Sequence, residues 1–477
     1  MNKSLVNLSS LVAVGFLPYF ISFFSLPIYS KYLSKEEFGI IGISMASILI
    51  ASTWSNFQLP GALSRMYFDY KGLDRDRYIS TVVNSSFLLT GLFSALYFFL
   101  SDDISGLIFS SDVDSRVIHV SIFVLLFNSS HLTLERILIN KKQGGKILLR
   151  GIVCQSLSVC LGLFLVVEME RGVLGFLWSQ AFYFFSMSVF SLVLLRRHYI
   201  FCLKFSYFYE SVTYSFPLIF HALGAVVFMY AGTFFIETYL SLTLLGVFFI
   251  AEKFSQLVKA LVNSINNVIM PKYNQISVTN TLKGNDFLEK IIPIWLAVFV
   301  PIIVLYVFLA DKFIETYMKG EFDGVFNILL IICLSYLFRG LYCFVTAPLF
   351  FHKETKVIPK ITMMTGFLSL IFNWVLVPFW GLIGAAASIF LSFLTSFILA
   401  RFFSKDVYSV TIKIHPRLMM MSAFLFLSPM FVLYERSFWV FSLGSLIIIL
   451  SGGWGLYRFD IWNVKSFIFG LREHDER

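Results

Sequence analysis

The chain has 477 residues, of which 58% are hydrophobic, 18% aromatic and only 14% charged. A soluble globular domain has nowhere to bury that much apolar surface, so the composition predicts a polytopic membrane protein. The formal net charge is +9. The placement of the basic residues, described below, accounts for this charge without a nucleic-acid partner.

Apolar stretches of about 20 residues predict the membrane-spanning helices. A single Lys3 precedes the first stretch, which is long enough to remain as a span and does not resemble a cleaved signal peptide. Only residues 434–437 separate the last two candidates, so twelve spans with a re-entrant hairpin is the alternative to fourteen. The predicted spans are 6–29, 38–58, 79–100, 115–138, 147–167, 173–195, 212–237, 242–270, 291–310, 325–350, 357–377, 382–400, 418–434 and 438–457.

The basic residues of the loops orient these spans. With the N-terminus inside, the predicted cytoplasmic segments carry 26 Lys and Arg, whereas the outer loops carry 7. Short cytoplasmic loops are enriched in Lys and Arg, so the bias predicts that both termini are cytoplasmic. We therefore expect a multi-pass membrane protein with this orientation.

The loops leave no room for a soluble catalytic or ATP-binding domain, because each is short by this map. The seven histidines are scattered, and the five cysteines show no metal-binding or redox spacing. We therefore predict a protein that is not an enzyme and binds no metal or cofactor. Its function must depend on the helices themselves.

An internal repeat divides the predicted spans into two sets of six. Its three matches are YLSKEEFG at 32–39 with YLSLTLLG at 239–246, Lys146 and Arg150 with Lys356 and Lys360, and Gly172 and Gly175 with Gly381 and Gly384. Because six crossings bring each half in from the same side, the repeat is parallel, as in many secondary transporters. The predicted fold is all-α, with two six-helix bundles (1–205 and 206–405) around a central cavity, followed by an extra helix pair and tail (406–477).

Polar residues form a stripe along the eighth span. They recur at helical spacing, on one face of a helix, at Glu252, Gln256, Lys259, Asn263 and Asn266. A lysine at mid-bilayer costs about 2.5–3.5 kcal/mol, so the stripe must face a wet cavity or another helix.

Other spans carry similar stripes. The tenth span has Ser335, Arg339, Tyr342 and Thr346, and the fourth has Asn128, His131 and Glu135 with Arg136 beside them. Cations, and arginine above all, suit phosphate oxygens. The predicted substrate-binding residues are Arg339, Lys253, Lys259, Arg136, Glu252, Gln256 and Asn263. Neighbouring opposite charges also permit another reading, in which they form ion pairs that only fix helix packing.

Two segments carry a resemblance to a known family. Asn373-Trp374 followed by VPFWGLIGAA at 377–386 resembles a segment of the Wzx-type O-antigen flippases, which move polysaccharide repeat units. YLSKEEFG at 32–39 is similar to the short outer loop after the first span of those proteins, and GVFFIAEKF with MPKY in the eighth span is similar to its counterpart there. The superfamily also holds the lipid II flippases and the MATE multidrug exporters. Fourteen spans depart from the twelve common in Wzx proteins.

The resemblance implies translocation of an undecaprenyl-pyrophosphate-linked oligosaccharide from the cytoplasmic to the periplasmic leaflet by alternating access. It also implies a cationic central cavity, coupling to protons or Na⁺, contact with membrane lipids, and the polymerase and chain-length proteins of the same pathway as partners. Two alternatives remain. One is a MATE-like exporter of small organic cations, and the other a membrane-embedded polymerase or acyltransferase of the same glycan pathway.

Overall fold

The regular structure is helical throughout the part of the chain that the computed structural model describes. That part is 18–404 without 111–112, 142, 198, 319–321, 323, 353 and 355. The helices are α1 (18–29), α2 (Lys35–Ser55), α3 (Leu59–Met66), α4 (Gly72–Phe99), α5 (Ser101–Ile108), α6 (Ser115–Asn140), α7 (Gly144–Leu163), α8 (Gly172–Leu195), α9 (Phe205–Tyr239), α10 (Leu242–Thr279), α11 (Thr281–Tyr317), α12 (Val325–Phe351) and α13 (Val357–Phe403). A π-helical turn, Phe164–Glu168, extends α7.

Within the described residues, nine helices are long and apolar enough to cross a membrane, judged by length and composition. Helix α10 is not among the nine because its polar stripe lowers its hydropathy, although it is 38 residues long. The predicted all-α, multi-pass architecture is confirmed. The predicted spans 418–434 and 438–457, and with them the predicted extra helix pair and tail, lie outside the described residues.

Helix α13 contains a break that divides it into two helices. Its 47 residues would be about 70 Å long as one helix, whereas the hydrocarbon core is about 30 Å thick. The break is at Gly381, where φ is +57° and ψ is −134°. Glycine adopts this backbone conformation without steric cost, so its position at the break follows from its missing side chain. The two parts coincide with the predicted spans 357–377 and 382–400.

The glycine pairs of the internal repeat have matching roles. Gly172 has a φ of +51°, close to that of Gly381, and both begin or divide a helix at a turn. Three residues later, Gly175 and Gly384 lie against the backbone of the preceding helical segment, where a Cβ would meet main-chain atoms. Each pair therefore supplies one turn and one close helix contact.

The serines of the repeat also have matching roles. Ser34 caps α2, since its Oγ accepts from the Glu37 N–H at 3.2 Å while the Glu37 carboxylate accepts from the Ser34 N–H at 2.8 Å. Ser241 caps α10, accepting from the Leu244 N–H at 3.2 Å. These equivalences are what duplicated halves would produce, and the domain boundaries at 205 and 405 stay a prediction.

The helices pack as two groups that meet along α2, α9 and α10. Helices α2, α4, α6, α7 and α8 pack together, as do α9 to α13, while α2 crosses to α10 and α9. Glu237 of α9 accepts from the backbone N–H of Ser110 at 2.5 Å and from its Oγ at 2.9 Å. At the predicted cytoplasmic end, the Tyr70 hydroxyl donates to Glu210 at 2.5 Å. Partial burial and this bond raise the pKa of Tyr70.

Buried serines fill many of the contacts between helices. Most of their hydroxyls donate to a carbonyl three or four residues earlier in the same helix, as Ser52 does to Ile48 at 2.7 Å and Ser392 to Ser388 at 2.7 Å. A few bond across helices, as between Ser55 and Ser129 at 3.0 Å. Small residues let transmembrane helices approach closely, so these serines permit tight packing while most of their hydroxyls are satisfied within their own helix.

Candidate functional site

A cavity of about 510 Å³ lies where the two helix groups meet. One wall comes from α1, α2, α6, α7 and α8, and the opposite wall from α9 and α10. This volume is within the range of about 300–1,000 Å³ that is typical of ligand sites. The polar residues among its lining are Tyr19, Ser22, Ser25, Tyr29, Asn128, His131, Glu135, Arg150, Gln155, Ser158, Ser179, Gln180, Tyr183, Tyr230, Glu252, Lys253 and Gln256.

The polar stripe predicted on the fourth span lines this cavity. Asn128, His131 and Glu135 project from one face of α6 because they follow helical spacing. Arg136, by contrast, is exposed and is not part of the lining. Its position one residue after Glu135 turns it about 100° around the helix.

Glu135 forms its ion pair with a residue of another helix. The Arg150 Nη2 of α7 donates to Glu135 Oε1 at 2.9 Å, and the Arg150 Nη1 donates to Ser191 Oγ of α8 at 2.5 Å. His131 Nε2 lies 3.4 Å from the other carboxylate oxygen, Oε2. The Arg150 side chain is 0% exposed, whereas that of Glu135 is 29% exposed toward the cavity.

Sequence reasoning missed Arg150. Its charge near the start of the fifth span placed it with the cytoplasmic basic residues, and the repeat matched it with Lys360, which is exposed. The signal available in the sequence was the stripe ending at Glu135, a carboxylate that needs a partner inside the membrane.

Helix α10 supplies the charged groups of the opposite wall. Glu252, Lys253 and Gln256 line the cavity and are half-buried. The Lys253 Nζ lies 4.9 Å from the centre of the Phe249 ring, which is a cation–π distance. Two adjacent residues of opposite charge therefore face the cavity from this wall.

The remaining predicted residues lie next to this wall without lining the cavity. The Arg339 Nη2 of α12 donates to Asn263 Oδ1 of α10 at 3.3 Å, and its guanidinium lies 5.9 Å from the Phe393 ring centre. The buried Arg339 Nε has no hydrogen-bond partner within the described residues. Lys259 is half-buried between Glu252 and Arg339, close enough to interact electrostatically with both.

The structure thus brings six of the seven predicted residues together on α10 and α12, and leaves Arg136 apart. Three of the six line the cavity and three lie beside it. Neutral amides and tyrosines make up much of the cavity wall opposite α10, including Gln155 of α7 and Gln180 and Tyr183 of α8. In the described ranges, no group of three or more His, Cys, Asp or Glu side chains is placed to hold a metal ion.

Comparison with known families decides the classification. Residues 4–277 match the model of the family described as polysaccharide biosynthesis protein. The chain belongs to this polysaccharide biosynthesis family. No functionally curated protein matches the sequence.

Solved structures show the same fold as this member of the polysaccharide biosynthesis family. The lipid II flippase MurJ, in an inward-closed conformation, is 17% identical, with a TM-score of 0.71 over 93% of this chain and 97% of that one. A multidrug resistance MATE family transporter of the MOP superfamily, inward-facing, is 14% identical, with a TM-score of 0.61 over 85% and 99%. A MOP superfamily transporter from Pyrococcus furiosus is 12% identical, with a TM-score of 0.53 over 85% and 96%.

Proposed function

We propose that the chain is a flippase that moves an undecaprenyl-pyrophosphate-linked oligosaccharide, such as an O-antigen repeat unit, from the cytoplasmic to the periplasmic leaflet. Membership in the polysaccharide biosynthesis family and the flippase-like fold support a role in lipid-linked glycan transport. In this proposal the protein is not an enzyme and needs no cofactor. It resides in the bacterial inner membrane with both termini in the cytoplasm, beside the polymerase and chain-length proteins of its pathway.

The observation that carries the proposal is the cluster of cations along α10 and α12. Lys253 lines the cavity, Lys259 and Arg339 lie beside it, and the three cations outnumber Glu252, the single carboxylate of these two helices. A pyrophosphate group carries several negative charges, and a planar guanidinium can hold two phosphate oxygens at once. Arg339 suits this role because its hydrogen-bond partner, Asn263, is neutral and leaves the positive charge uncompensated.

The cavity also has the polarity that the rest of this substrate requires. The glycan needs hydrogen bonds, and amides and tyrosines on the α6–α8 wall supply donors and acceptors. The isoprenoid tail is apolar and has no need of a polar cavity, so it can remain in the bilayer. Translocation then requires the halves to open alternately to the two sides of the membrane.

The test is removal of the chain from its host. We expect surface glycan to be lost while lipid-linked units accumulate on the inner leaflet. Units that reached the periplasm but stayed unpolymerised would instead indicate a polymerase accessory and would contradict the proposal. Resistance to organic cations that fell on deletion, with surface glycan unchanged, would favour the exporter alternative.

A further inference from the structure

A second groove lies between the predicted cytoplasmic ends of α10 and α11, and its volume is about 520 Å³. On α10 its lining residues run from Lys272 to Thr279, and on α11 they run from Lys283 to Lys290. We propose that this groove, here called the α10–α11 groove, binds the headgroup of an anionic phospholipid of the cytoplasmic leaflet. This inference goes beyond the proposed transport of a glycan and does not depend on it.

Helical spacing explains why these residues form one groove. On each of the two helices the lining residues are at positions i, i+3, i+4 and i+7, which lie on one face. Each face includes one apolar residue, Ile276 on α10 and Phe287 on α11. Phe287 is buried and Ile276 is half-buried, so these two side chains form the floor. The α10–α11 groove therefore combines an apolar floor with a polar rim.

Three lysines make the rim of the groove positively charged. Lys272, Lys283 and Lys290 lie on the rim, where Asp286 is the single acidic residue. Lys283 and Lys290 are exposed, and Lys272 is half-buried. None of the three lysines forms an ion pair within the described residues. Their ammonium groups are therefore available to the oxygens of a phosphate group.

The turn between the two helices fixes the backbone that carries these lysines. Asn280 is the single residue between α10 and α11, and its Oδ1 accepts from the Lys283 N–H at 3.2 Å. Gly284 lies against Ser277, because a Cβ on Gly284 would overlap the Ser277 side chain. The two helices therefore meet close to the turn, and the groove is formed before an anion binds.

The position of the groove along the helices matches the headgroup layer of a membrane. Lys272 directly follows the predicted span 242–270 apart from one residue, and Lys290 directly precedes the predicted span 291–310. The groove extends over about 10 Å of each helix, and a headgroup layer is about 5–8 Å thick on each side of the hydrocarbon. Lys272 and Lys290 thus lie at the depth of the lipid phosphates.

The apolar floor favours a lipid over soluble phosphate as the occupant. Ile276 and Phe287 lie farther from the membrane than Lys272 and Lys290, where they can contact the carbon atoms of a headgroup such as glycerol. Soluble phosphate would contact the lysines and leave the floor in water. The cytoplasmic leaflet also has a negative surface potential, and basic pockets between helices on that side suit anionic headgroups.

The α10–α11 groove is distinct from the substrate cavity. Lys272 comes 20 residues after Glu252, which turns it about 200° around α10. Because Glu252 lines the cavity, Lys272 lies on the opposite face of the helix. None of the residues that line the groove lines the cavity. A lipid phosphate between Lys272 and Lys290 would join the ends of α10 and α11 without occupying the substrate site.

The experiment measures protection of a groove residue in the full-length chain. Gln275, which is exposed and lines the groove, is replaced by cysteine after the five native cysteines have been replaced. The rate at which N-ethylmaleimide labels Gln275→Cys is measured in detergent micelles that contain phosphatidylglycerol, phosphatidylcholine or inorganic phosphate. We expect phosphatidylglycerol to slow the labelling in a saturable manner, and we expect the other two compounds to leave the rate unchanged.

Lys272→Gln combined with Lys290→Gln tests the role of the lysines. A basic residue near an anionic lipid surface contributes about fivefold to affinity, so the phosphatidylglycerol concentration for half-maximal protection should rise about 25-fold. Lys356→Gln combined with Lys360→Gln is the matched control. It removes the same charge from two exposed lysines at the start of α13, on the same predicted side of the membrane, and should leave that concentration unchanged.

The remaining outcomes contradict the proposal. Equal protection by phosphatidylcholine would show that the groove does not recognise a negative charge, and protection by inorganic phosphate would show a site for a soluble anion. The proposal is also wrong if no compound protects Gln275→Cys, or if the groove variant and the control variant respond alike. None of these results bears on glycan accumulation, which tests the proposed function separately.

Discussion

Gly39 and Gly246 occupy reciprocal positions in the contact between α2 and α10. A Cβ on Gly39 would overlap the backbone carbonyl of Leu242, and a Cβ on Gly246 would overlap the backbone carbonyl of Lys35. Each carbonyl belongs to the residue four before the other glycine. Two equivalent segments of the repeat therefore touch main chain to main chain, as across a two-fold axis, at the predicted outer end of the cavity.

We expect Gly39→Ala and Gly246→Ala to open this end. The new methyl group meets backbone atoms that cannot rotate away, and overpacking of this kind typically costs about 1–3 kcal/mol. A cost of 1.4 kcal/mol shifts an equilibrium about tenfold. The measurement is the rate at which a membrane-impermeant maleimide labels Phe249→Cys, a position that is buried and lines the cavity. The rate should rise by about tenfold or more.

Gly91→Ala is the matched control for the two glycine variants. Gly91 lies in α4, and a Cβ there has no heavy atom within 4 Å. With Gly91→Ala, the labelling rate at Phe249→Cys should equal that of the parent protein. Equal rates in all three variants would show that the α2–α10 contact does not close the cavity.

A second prediction concerns Arg339. Removing it breaks no ion pair among the described residues, since its hydrogen-bond partner is the amide of Asn263. Arg339→Ala should therefore reach normal membrane abundance yet fail to restore surface glycan in the deletion strain. Arg339→Lys should restore it only partly, because an ammonium lacks the planar fork that holds two phosphate oxygens. Surface glycan and protein level are measured in the same cells.

Arg65→Ala serves as the control for Arg339. Arg65 of α3 forms an exposed ion pair at 2.8 Å with Asp69, in the turn after that helix, and exposed pairs of this kind contribute about 0–1 kcal/mol. The Arg65→Ala variant should therefore restore surface glycan fully. Normal glycan with Arg339→Ala at normal abundance would exclude a phosphate-binding role, and low abundance would favour a packing role.

A third prediction concerns the stability of the half-buried pair of Arg150 and Glu135. Arg150→Met removes one partner and leaves a carboxylate uncompensated, a change that typically costs about 3–5 kcal/mol. We expect a marked fall in the thermal unfolding temperature of the purified protein. The double variant Arg150→Met with Glu135→Leu should recover most of the loss, because it removes both charges. If the double variant is no more stable than Arg150→Met, the two residues do not stabilise each other.

A fourth prediction concerns orientation. Reporter fusions after Lys146 and Lys283 should give cytoplasmic signals, and a fusion after Glu170 should give a periplasmic one, since the basic residues concentrate on one side. Alkaline phosphatase and a fluorescent protein provide complementary readouts. Phosphatase activity after Lys283 would reverse the assignment of the outer end and with it the direction of transport.

The all-α, multi-pass architecture was predictable from hydropathy because lipid-facing helices need apolar side chains. The residue at which α10 ends and the residue at which α11 begins were not predictable in this way. The predicted spans end at 270 and begin at 291, whereas α10 continues to Thr279 and α11 begins at Thr281. Hydropathy marks the membrane-embedded part of a helix, and it has no signal for the polar turns that continue beyond the bilayer.

The candidate site was predictable only where one helix carried the pattern. Helical spacing placed Glu252 and Gln256 on one face, and both line the cavity. The same spacing could not show that Arg150 is buried, because its partners Glu135 and Ser191 are 15 and 41 residues away and belong to other helices. The spacing of residues along one helix predicts the direction in which their side chains point around its axis. Which side chains of different helices form pairs depends on the tertiary fold.

The buried serines have a consequence for movement between the halves. Because most of their hydroxyls are satisfied by carbonyls of the same helix, two such helices can slide past each other without breaking a hydrogen bond. Movement between the halves must instead break the bonds that join them, such as the one that Ser110, in the segment between α5 and α6, donates to Glu237 of α9.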